Sequence, residues 1–213
     1  MPSSEGDGLW SLAGPLALNP EGWLEPHAEA ACWPSPHADE RPQGEPVRLA
    51  VVHCISLPRG VYGGTAVRDL FLGQLDCNAH PSFEALRGLR VSAHFFIDRG
   101  GQIHQFVSVH RRAWHAGVSS FDGQTGCNDF SVGIELEGVD DAPYTERQVQ
   151  QCLRLSLALI DGLPSLSWLA GHSDIAPGRK TDPGPGWDWA RFQDRLDSAL
   201  GRWRPDRKLK YFF

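Results

Sequence analysis

A strand, a turn and a second strand follow one another directly in the middle of the chain. Residues 91–97 form a short apolar run, residues 98–101 include two glycines, and residues 102–107 resume an apolar pattern. A strand, a glycine-bearing turn and a strand in this order predict an antiparallel hairpin. A doubly wound nucleotide-binding fold instead alternates parallel strands with helices, so the hairpin favours a mixed sheet.

Three further runs predict strands. Residues 49–55 are apolar, rich in branched side chains and flanked by prolines, which is typical of a buried strand. Residues 131–137 alternate strictly between apolar residues and others, so Glu135 and Glu137 are predicted to point away from the core. Residues 166–170 are predicted as a last short strand.

Helices are predicted between these strands. Thr145 and Gln148 have the spacing of a capping box, and apolar residues at helical spacing follow them until Gly162. A shorter amphipathic helix is predicted at residues 66–75. A C-terminal helix is predicted to end at Gly201.

The length of 213 residues is suitable for one domain. We expect an α/β protein of the α+β type, with a central mixed β-sheet flanked by helices. Residues 1–47 are rich in Gly, Pro and Ser and lack a sustained period, so they are interpreted as an extended arm that packs on the domain. The domain itself is predicted at residues 48–200, and residues 201–213 are predicted as a C-terminal tail.

Composition excludes several classes of function. The formal net charge of −6 gives no basic surface of the kind that binds nucleic acid. No apolar stretch approaches the roughly 18 to 20 residues that cross a bilayer, and the first residues lack the pattern of a secretory signal. The five cysteines form no C-x-x-C pair. We therefore expect a cytoplasmic protein with reduced thiols and no membrane or nucleic-acid partner.

Five polar residues stand out at or near the ends of the predicted strands and in the last loop: His53, Glu135, His172, Lys180 and Asp182. Two imidazoles and one carboxylate are a common ligand set of catalytic zinc, which leaves a fourth position open for water. No H-E-x-x-H motif pairs the histidines on a helix. From the residues alone, three unrelated polar side chains therefore remain an alternative to a metal site.

Local sequence motifs carry a resemblance to a known family. The segments that match it are 21–24, 34–37, 51–53, 55–58, 78–81, 90–94, 112–120, 127–131, 133–138, 175–177 and 179–185. In these segments the chain resembles the 1,6-anhydro-N-acetylmuramyl-L-alanine amidases of bacterial cell-wall recycling. They are a branch of the N-acetylmuramoyl-L-alanine amidase type 2 family, which includes a phage lysozyme and the peptidoglycan-recognition proteins. The resemblance extends over nearly the whole chain from about residue 21 to residue 195.

The resemblance implies a zinc amidase that acts on small muropeptides, with Zn²⁺ held by His53, His172 and Asp182. It implies that Glu135 and Lys180 complete the catalytic group, with Glu135 moving a proton and Lys180 stabilising the developing oxyanion. Peptidoglycan-recognition relatives often have Cys at the position of Asp182, so the carboxylate favours the recycling branch. A monomer in the cytoplasm is expected.

The substrate-binding residues are predicted less directly. Trp114 and His115 are candidates for a wall against the sugar or the peptide, and Arg90 is a candidate for pairing with a peptide carboxylate. The chain departs from the family at two positions. Gly126 stands where a second Arg is often found, and Cys54 stands where Asn is familiar. Glu137 is interpreted as a structural carboxylate, either solvated or in a salt bridge.

Three other functions are alternatives. A non-catalytic peptidoglycan-recognition module would bind the ligand without metal, although here all five catalytic positions are filled. A thiol hydrolase would use Cys54 beside His53, but adjacent residues on a strand point to opposite faces. An amidase acting on polymeric cell wall outside the cytoplasm would keep the chemistry, and the missing signal pattern argues against it.

Overall fold

A computed structural model describes residues 14–213, so the first thirteen residues of the predicted arm lie outside the described residues. In the described part the strands are β1 Ala30–Cys32, β2 Ala38–Glu40, β3 Leu49–Ile55, β4 Phe95–Ile97, β5 Ile103–Gln105, β6 Arg111–Ala113, β7 Ser120–Phe121, β8 Gln124–Thr125, β9 Ser131–Glu137, β10 Trp168–Gly171 and β11 Lys210–Phe212. The α-helices are α1 Ala66–Phe71, α2 Glu146–Gly162, α3 His172–Ile175 and α4 Trp189–Trp203, and 3-10 turns span Pro81–Leu86 and Cys127–Asp129.

Within residues 14–213, seven strands form one sheet in the order β1-β5-β4-β9-β3-β10-β11. The pair of β4 and β5 is antiparallel, which confirms the predicted hairpin, while the other neighbours in the sheet are parallel. A mixed sheet with helices against it is the predicted fold class, which is confirmed. The strands β2 and β6 form a small antiparallel pair of their own.

The two faces of the sheet have different roles. Alternate residues of β3 and β9, among them Val52 and Ile134, pack with α2 and α4 in the largest hydrophobic cluster. The residues between them point to the opposite face, because successive side chains of a strand alternate. His53 and Glu135 are on that second face, beside a smaller cluster that includes Val51. Helices α2 and α4 thus cover one face, and the candidate site lies on the other, where the short helices α1 and α3 pack.

The predicted helices differ in how well their ends were placed. The capping box at Thr145 is formed and α2 ends at Gly162, as predicted. Helix α1 ends at Phe71 and not at residue 75, because Gly73 has a φ of +69° that no longer fits a helix. Helix α4 continues past Gly201, where an end was predicted, to Trp203. None of the helices in the described range is long and apolar enough to cross a bilayer.

The sheet extends beyond the predicted domain of residues 48–200 into the predicted arm and the predicted tail. In the described part of the arm, β1 pairs with β5, and in the predicted tail β11 pairs with β10. The predicted strands at 91–97 and 166–170 are shorter or shifted, since β4 begins at Phe95 and β10 is Trp168–Gly171. The strand predicted at 131–137 is β9 at those bounds.

Candidate active site

Three side chains from distant parts of the sequence meet on the face of the sheet opposite helices α2 and α4. His53 Nδ1 lies 2.9 Å from His172 Nδ1 and 3.5 Å from Asp182 Oδ2, and His172 Nδ1 lies 3.1 Å from the same oxygen. Among the described residues they form a group whose ligand atoms all lie within 4.8 Å of one another, and which could hold a metal ion.

Secondary structure brings these ligands together. His53 is the fifth residue of β3, and β10 pairs with β3 so that Gly171 lies opposite Val52. The chain then turns into α3, whose first residue is His172. Parallel pairing of β3 and β10 therefore places both imidazoles at the same end of the sheet.

Asp182 lies in a loop that is tied to its surroundings on both sides. Its carbonyl accepts a hydrogen bond from the backbone N–H of Ser173 at 2.9 Å. Thr181 donates through Oγ1 to Asp140 at 2.5 Å, and Tyr144 donates through its hydroxyl to the carbonyl of Pro183 at 2.8 Å. These contacts hold the carboxylate against the two histidines.

The donor set is suitable for zinc. Two imidazole nitrogens and one carboxylate oxygen are ligands that Zn²⁺ takes in catalytic sites, where a fourth position stays open. The two histidines, His53 and His172, are only 1% and 3% exposed, and burial, followed by the nearby His172, lowers the pKa of His53 to about 4. A neutral imidazole is the form that binds a metal.

Glu135 lies beside the histidines. It pairs in register with His53 across β9 and β3 and is 8% exposed. Its Oε2 has no hydrogen-bond partner among the residues that the structure describes. Burial, reinforced by the charge of Asp182, raises the pKa of Glu135 well above its ordinary value. A buried carboxylate with an unpartnered oxygen and a raised pKa is suited to accept a proton and to return it.

A cavity of about 240 Å³ opens over these groups. The predicted site residues that line it are Trp114, His115, Glu135, His172, Lys180 and Asp182. Lys180 is exposed, so its ammonium is accessible to a molecule in the cavity. Cys54 also lines the cavity, at one of the two positions where the sequence departs from the family.

The predicted aromatic wall is anchored from behind. Trp114 donates through Nε1 to Asp39 at 3.0 Å, and its ring stacks with His37 at a centroid distance of 6.2 Å. The exposed Arg90 places its guanidinium carbon 5.4 Å from the centroid of the Trp114 ring. Trp114 thus lines the cavity with a ring held from behind, while Arg90 lies next to that ring and is not among the residues that line the cavity.

His115 contacts a predicted metal ligand directly. Its Nδ1 lies 2.9 Å from His53 Nε2, and its Nε2 lies 3.2 Å from the hydroxyl of Ser131. No pattern in the sequence indicates this contact, because residues 53 and 115 belong to separate segments. It brings His115 into the environment of the metal ligands as well as into the cavity wall.

Glu137 is structural, but the prediction of a solvated or salt-bridged carboxylate was wrong. Its side chain is 3% exposed and accepts hydrogen bonds from the backbone N–H groups of Gly63 at 2.6 Å and Arg99 at 2.9 Å. Through these two hydrogen bonds the buried carboxylate connects two loops to the end of β9.

Two residues near the ligands were missed from the sequence. Asn128 accepts hydrogen bonds at its Oδ1 from the backbone N–H groups of His115 at 3.1 Å and Ala116 at 2.8 Å. Ser131 is fully buried on the same face of β9 as Glu135. Because Ser131 and Glu135 are an even number of residues apart on one strand, the sequence pattern could have indicated that Ser131 faces the candidate site.

Comparison with known proteins gives the family. The model of the N-acetylmuramoyl-L-alanine amidase family matches residues 43–185. The 1,6-anhydro-N-acetylmuramyl-L-alanine amidase AmpD of Citrobacter freundii is 55% identical over 174 residues, which cover 81% of this chain and 91% of that protein. The resemblance found in the sequence is confirmed.

Solved structures agree with this result. A crystal structure of a selenomethionine derivative of AmpD is 54% identical and superimposes with a TM-score of 0.79, covering 83% of this chain and 97% of that one. AmpDh3 of Pseudomonas aeruginosa in complex with an anhydromuramic pentapeptide is 29% identical with a TM-score of 0.51, covering 78% of this chain and 72% of that one. The fold and the family are thus shared with amidases of known structure.

Proposed function

Because this chain belongs to the N-acetylmuramoyl-L-alanine amidase family, we propose that it hydrolyses the amide bond between 1,6-anhydro-N-acetylmuramic acid and the L-alanine of the stem peptide. The cofactor is Zn²⁺, held by His53, His172 and Asp182. The enzyme acts as a monomer in the cytoplasm, on small muropeptides released from the cell wall.

One observation supports this proposal more than any other. The predicted ligands His53, His172 and Asp182 converge beside Glu135, whose buried Oε2 has no partner among the described residues. A binding-only module has no need for a buried carboxylate beside a ligand set, since such a group costs free energy when it is unpaired. The arrangement therefore favours hydrolysis over binding alone.

Zinc, when bound, lowers the pKa of water and polarises a carbonyl group. Glu135 accepts the proton of the attacking water at Oε2 and passes it to the departing nitrogen of L-alanine. Its raised pKa suits this double task, because the acid must give the proton back. Proton transfer of this kind contributes about 10²–10⁴-fold to the rate.

Lys180 stabilises the negative charge that develops on the carbonyl oxygen. Its exposed side chain lines the same cavity as Glu135, so its ammonium reaches the reacting amide without displacing buried residues. A cation at this position lowers the barrier because the charge it meets is larger in the transition state than in the substrate.

Trp114, His115 and Arg90 bind the substrate. The faces of Trp114 and His115 line the cavity and pack against the sugar or the first residues of the peptide. Arg90, next to the Trp114 ring, pairs with a carboxylate of the peptide.

The experiment compares two substrates. Anhydro-muramyl tripeptide and reduced muramyl tripeptide are supplied to the purified protein, with and without a chelator, and released peptide is measured. Release is expected to be faster from the anhydro sugar, to stop with chelator, and to return when Zn²⁺ is added back. Undiminished release in excess chelator would contradict the zinc mechanism. Binding without release by zinc-loaded protein would support the recognition module.

A further inference from the structure

Both histidine ligands present their second nitrogen to one short segment. His53 Nε2 lies 2.9 Å from His115 Nδ1, and His172 Nε2 lies 3.1 Å from the carbonyl oxygen of Ala116. A carbonyl oxygen only accepts hydrogen bonds. Arg179 Nη2 also lies 3.4 Å from His172 Nε2, but its two hydrogens are donated to the carbonyl oxygens of Ala116 at 2.7 Å and Val118 at 2.6 Å. His172 Nε2 therefore carries the hydrogen, and the Nδ1 of the neutral ring has a lone pair.

Hydrogen-bond donors and acceptors are also determined along the contacts that lead from Ser131 through His115 to His53. The Ser131 hydroxyl donates to the carbonyl oxygen of Cys127 at 2.5 Å, which uses its single hydrogen. At its second contact, 3.2 Å from His115 Nε2, the hydroxyl oxygen can only accept, so His115 Nε2 is the donor. In a neutral ring His115 Nδ1 is then an acceptor, and His53 Nε2 must donate to it. His53 Nδ1 is left with a lone pair.

Three lone pairs consequently face one another at His53 Nδ1, His172 Nδ1 and Asp182 Oδ2, 2.9 to 3.5 Å apart. No hydrogen remains to separate them, so a cation satisfies all three. We infer that Ser131 and His115 are positioning residues that fix the tautomer of His53 and thereby present its Nδ1 to the metal, an inference that rests on the proposed zinc site.

Neighbouring residues hold this relay, the contacts from Ser131 through His115 to His53, in place. Asn128 fixes the backbone of His115 and Ala116 through two hydrogen bonds to one oxygen. Gly133 leaves room for the His115 ring, since a Cβ at that position would lie 2.5 Å from His115 Cγ. Ser131 and Gly133 are alternate residues of β9, so one face of this strand both supports and aligns the ring. Partners behind a metal-bound histidine commonly fix its tautomer and orientation in this way.

The test uses Ser131→Ala and a matched control, Ser156→Ala. Ser156 is also a buried serine whose hydroxyl donates to the carbonyl of a cysteine four residues earlier, Cys152, at 2.7 Å, but it lies in α2, away from the cavity. Zinc dissociation constants are measured on metal-free proteins by competition with a chromogenic chelator. Ser131→Ala is expected to bind Zn²⁺ about 10–100-fold more weakly, whereas Ser156→Ala keeps the wild-type constant.

A second measurement reports the tautomer without metal. Long-range ¹H–¹⁵N spectra of the metal-free wild-type protein are expected to show His53, His115 and His172 with hydrogen on Nε2. In Ser131→Ala, His115 and His53 are expected to lose this single tautomer, while circular dichroism reports an unchanged fold. Hydrogen on Nδ1 of His53 in the wild type would overturn the inference, as would a Ser131→Ala protein with wild-type affinity and tautomers. A wild-type protein that binds no zinc would instead refute the proposed function, and the spectra would still test the relay.

Discussion

Glu135 combines two properties that seldom occur together in one carboxyl group. It is buried with an oxygen that lacks a partner among the described residues, and it lies in register with His53, a predicted metal ligand. Burial of an unpaired carboxylate is unfavourable for stability. Such a cost is typical of residues that are retained for chemistry.

Replacement of this carboxylate separates proton transfer from metal binding. Glu135→Gln is expected to lower the rate of peptide release by about 10²–10⁴-fold, because an amide cannot take the proton of water. Zinc content, measured by elemental analysis, should stay near that of the wild-type protein. Loss of the metal in this variant would contradict the assigned role and point to Glu135 as a ligand.

Replacement of Cys54 tests whether the protein is a thiol hydrolase. Burial raises the pKa of this thiol to about 12, so the reactive thiolate is nearly absent at neutral pH. Cys54→Ala is expected to retain its hydrolysis rate within about threefold, because the nucleophile is water and not sulfur. A variant that keeps its zinc but loses turnover would favour a thiol hydrolase.

Among single residues, the sequence predicted which polar side chains converge better than it predicted the residues that support them. Predicted ligands such as His172 and Asp182 lie in motifs that could be matched to a family. The contact between His115 and His53 joins segments that no periodicity relates. The sequence pattern places Ser131 on the same strand face as Glu135, but it does not show that the Ser131 hydroxyl contacts the His115 ring. Supporting contacts depend on tertiary geometry, which local patterns do not contain.

Strand β9 shows how an element can carry a site. Ser131, Gly133, Glu135 and Glu137 alternate along one face, while the residues between them enter the core cluster beneath α2. The alternation of side chains along these seven residues therefore places the residues of the candidate site on one face and the residues of the core on the other. A shift of one residue in the register of β9 would exchange the two faces.

The edge of the sheet is fastened to α2 by an ion pair that responds to pH. Arg154, 6% exposed, donates to Glu29 Oε2 at 2.5 Å, just before β1. Burial raises the pKa of Glu29, but hydrogen bonds from Arg154 and Gln151 outweigh this effect, and the net pKa lies below the ordinary value of 4.5. The ionised form of Glu29 therefore stabilises the folded state.

Glu29→Gln is expected to lower the free energy of unfolding by about 3 kcal/mol at neutral pH, since it leaves a buried cation without its counter-ion. The stabilisation by Glu29 is complete above pH 4.5 and is lost as the pH falls through the lowered pKa of the folded state. Urea unfolding at about pH 7 and about pH 3 should therefore show a gap between wild type and variant that narrows in acid.

The matched control is Glu84→Gln. Glu84 forms an ion pair with Arg87 on the surface, and both side chains are half or more exposed, so little change in stability is expected. Equal effects of the two substitutions, or a gap that widens in acid, would contradict the role given to Glu29.

Among the elements, the length of the helix or strand decided what the sequence could predict. The capping box and the apolar period placed α2 at its observed bounds. Edge strands such as β1 and β11 have three residues each, too few to show a period, and they are stabilised by pairing with β5 and β10. Gly201 misled the prediction because it does not adopt the left-handed conformation that ends helices.

Across the whole molecule, the core is independent of the proposed metal site. The largest hydrophobic cluster lies between the sheet and helices α2 and α4, on the face away from His53. The protein is therefore expected to remain folded without metal, unlike zinc fingers, whose metal provides the folding energy.

Removal of zinc with a chelator should leave the circular dichroism spectrum unchanged while lowering the melting temperature. Zinc at a hundred times its dissociation constant stabilises the folded state by about 2.7 kcal/mol through binding alone. Thermal scans with increasing zinc measure the shift. A metal-free protein that unfolds at room temperature, or a melting temperature that does not change with zinc concentration, would contradict this expectation.

The hairpin predicted a mixed sheet, but the order of its strands could not be deduced. β3 lies between β9 and β10, although both of these strands come much later in the sequence. Parallel pairs of this kind are selected by packing of the finished core and not by local patterns.

The distance along the chain between the two histidines has a consequence for synthesis. His53 precedes His172 by 119 positions, and a ribosome needs roughly ten seconds to add that many residues. During this interval the nascent polypeptide has only one of the two histidines that are proposed to hold the ion, however early its first strands associate. Metal capture is therefore a late event in the life of each new molecule.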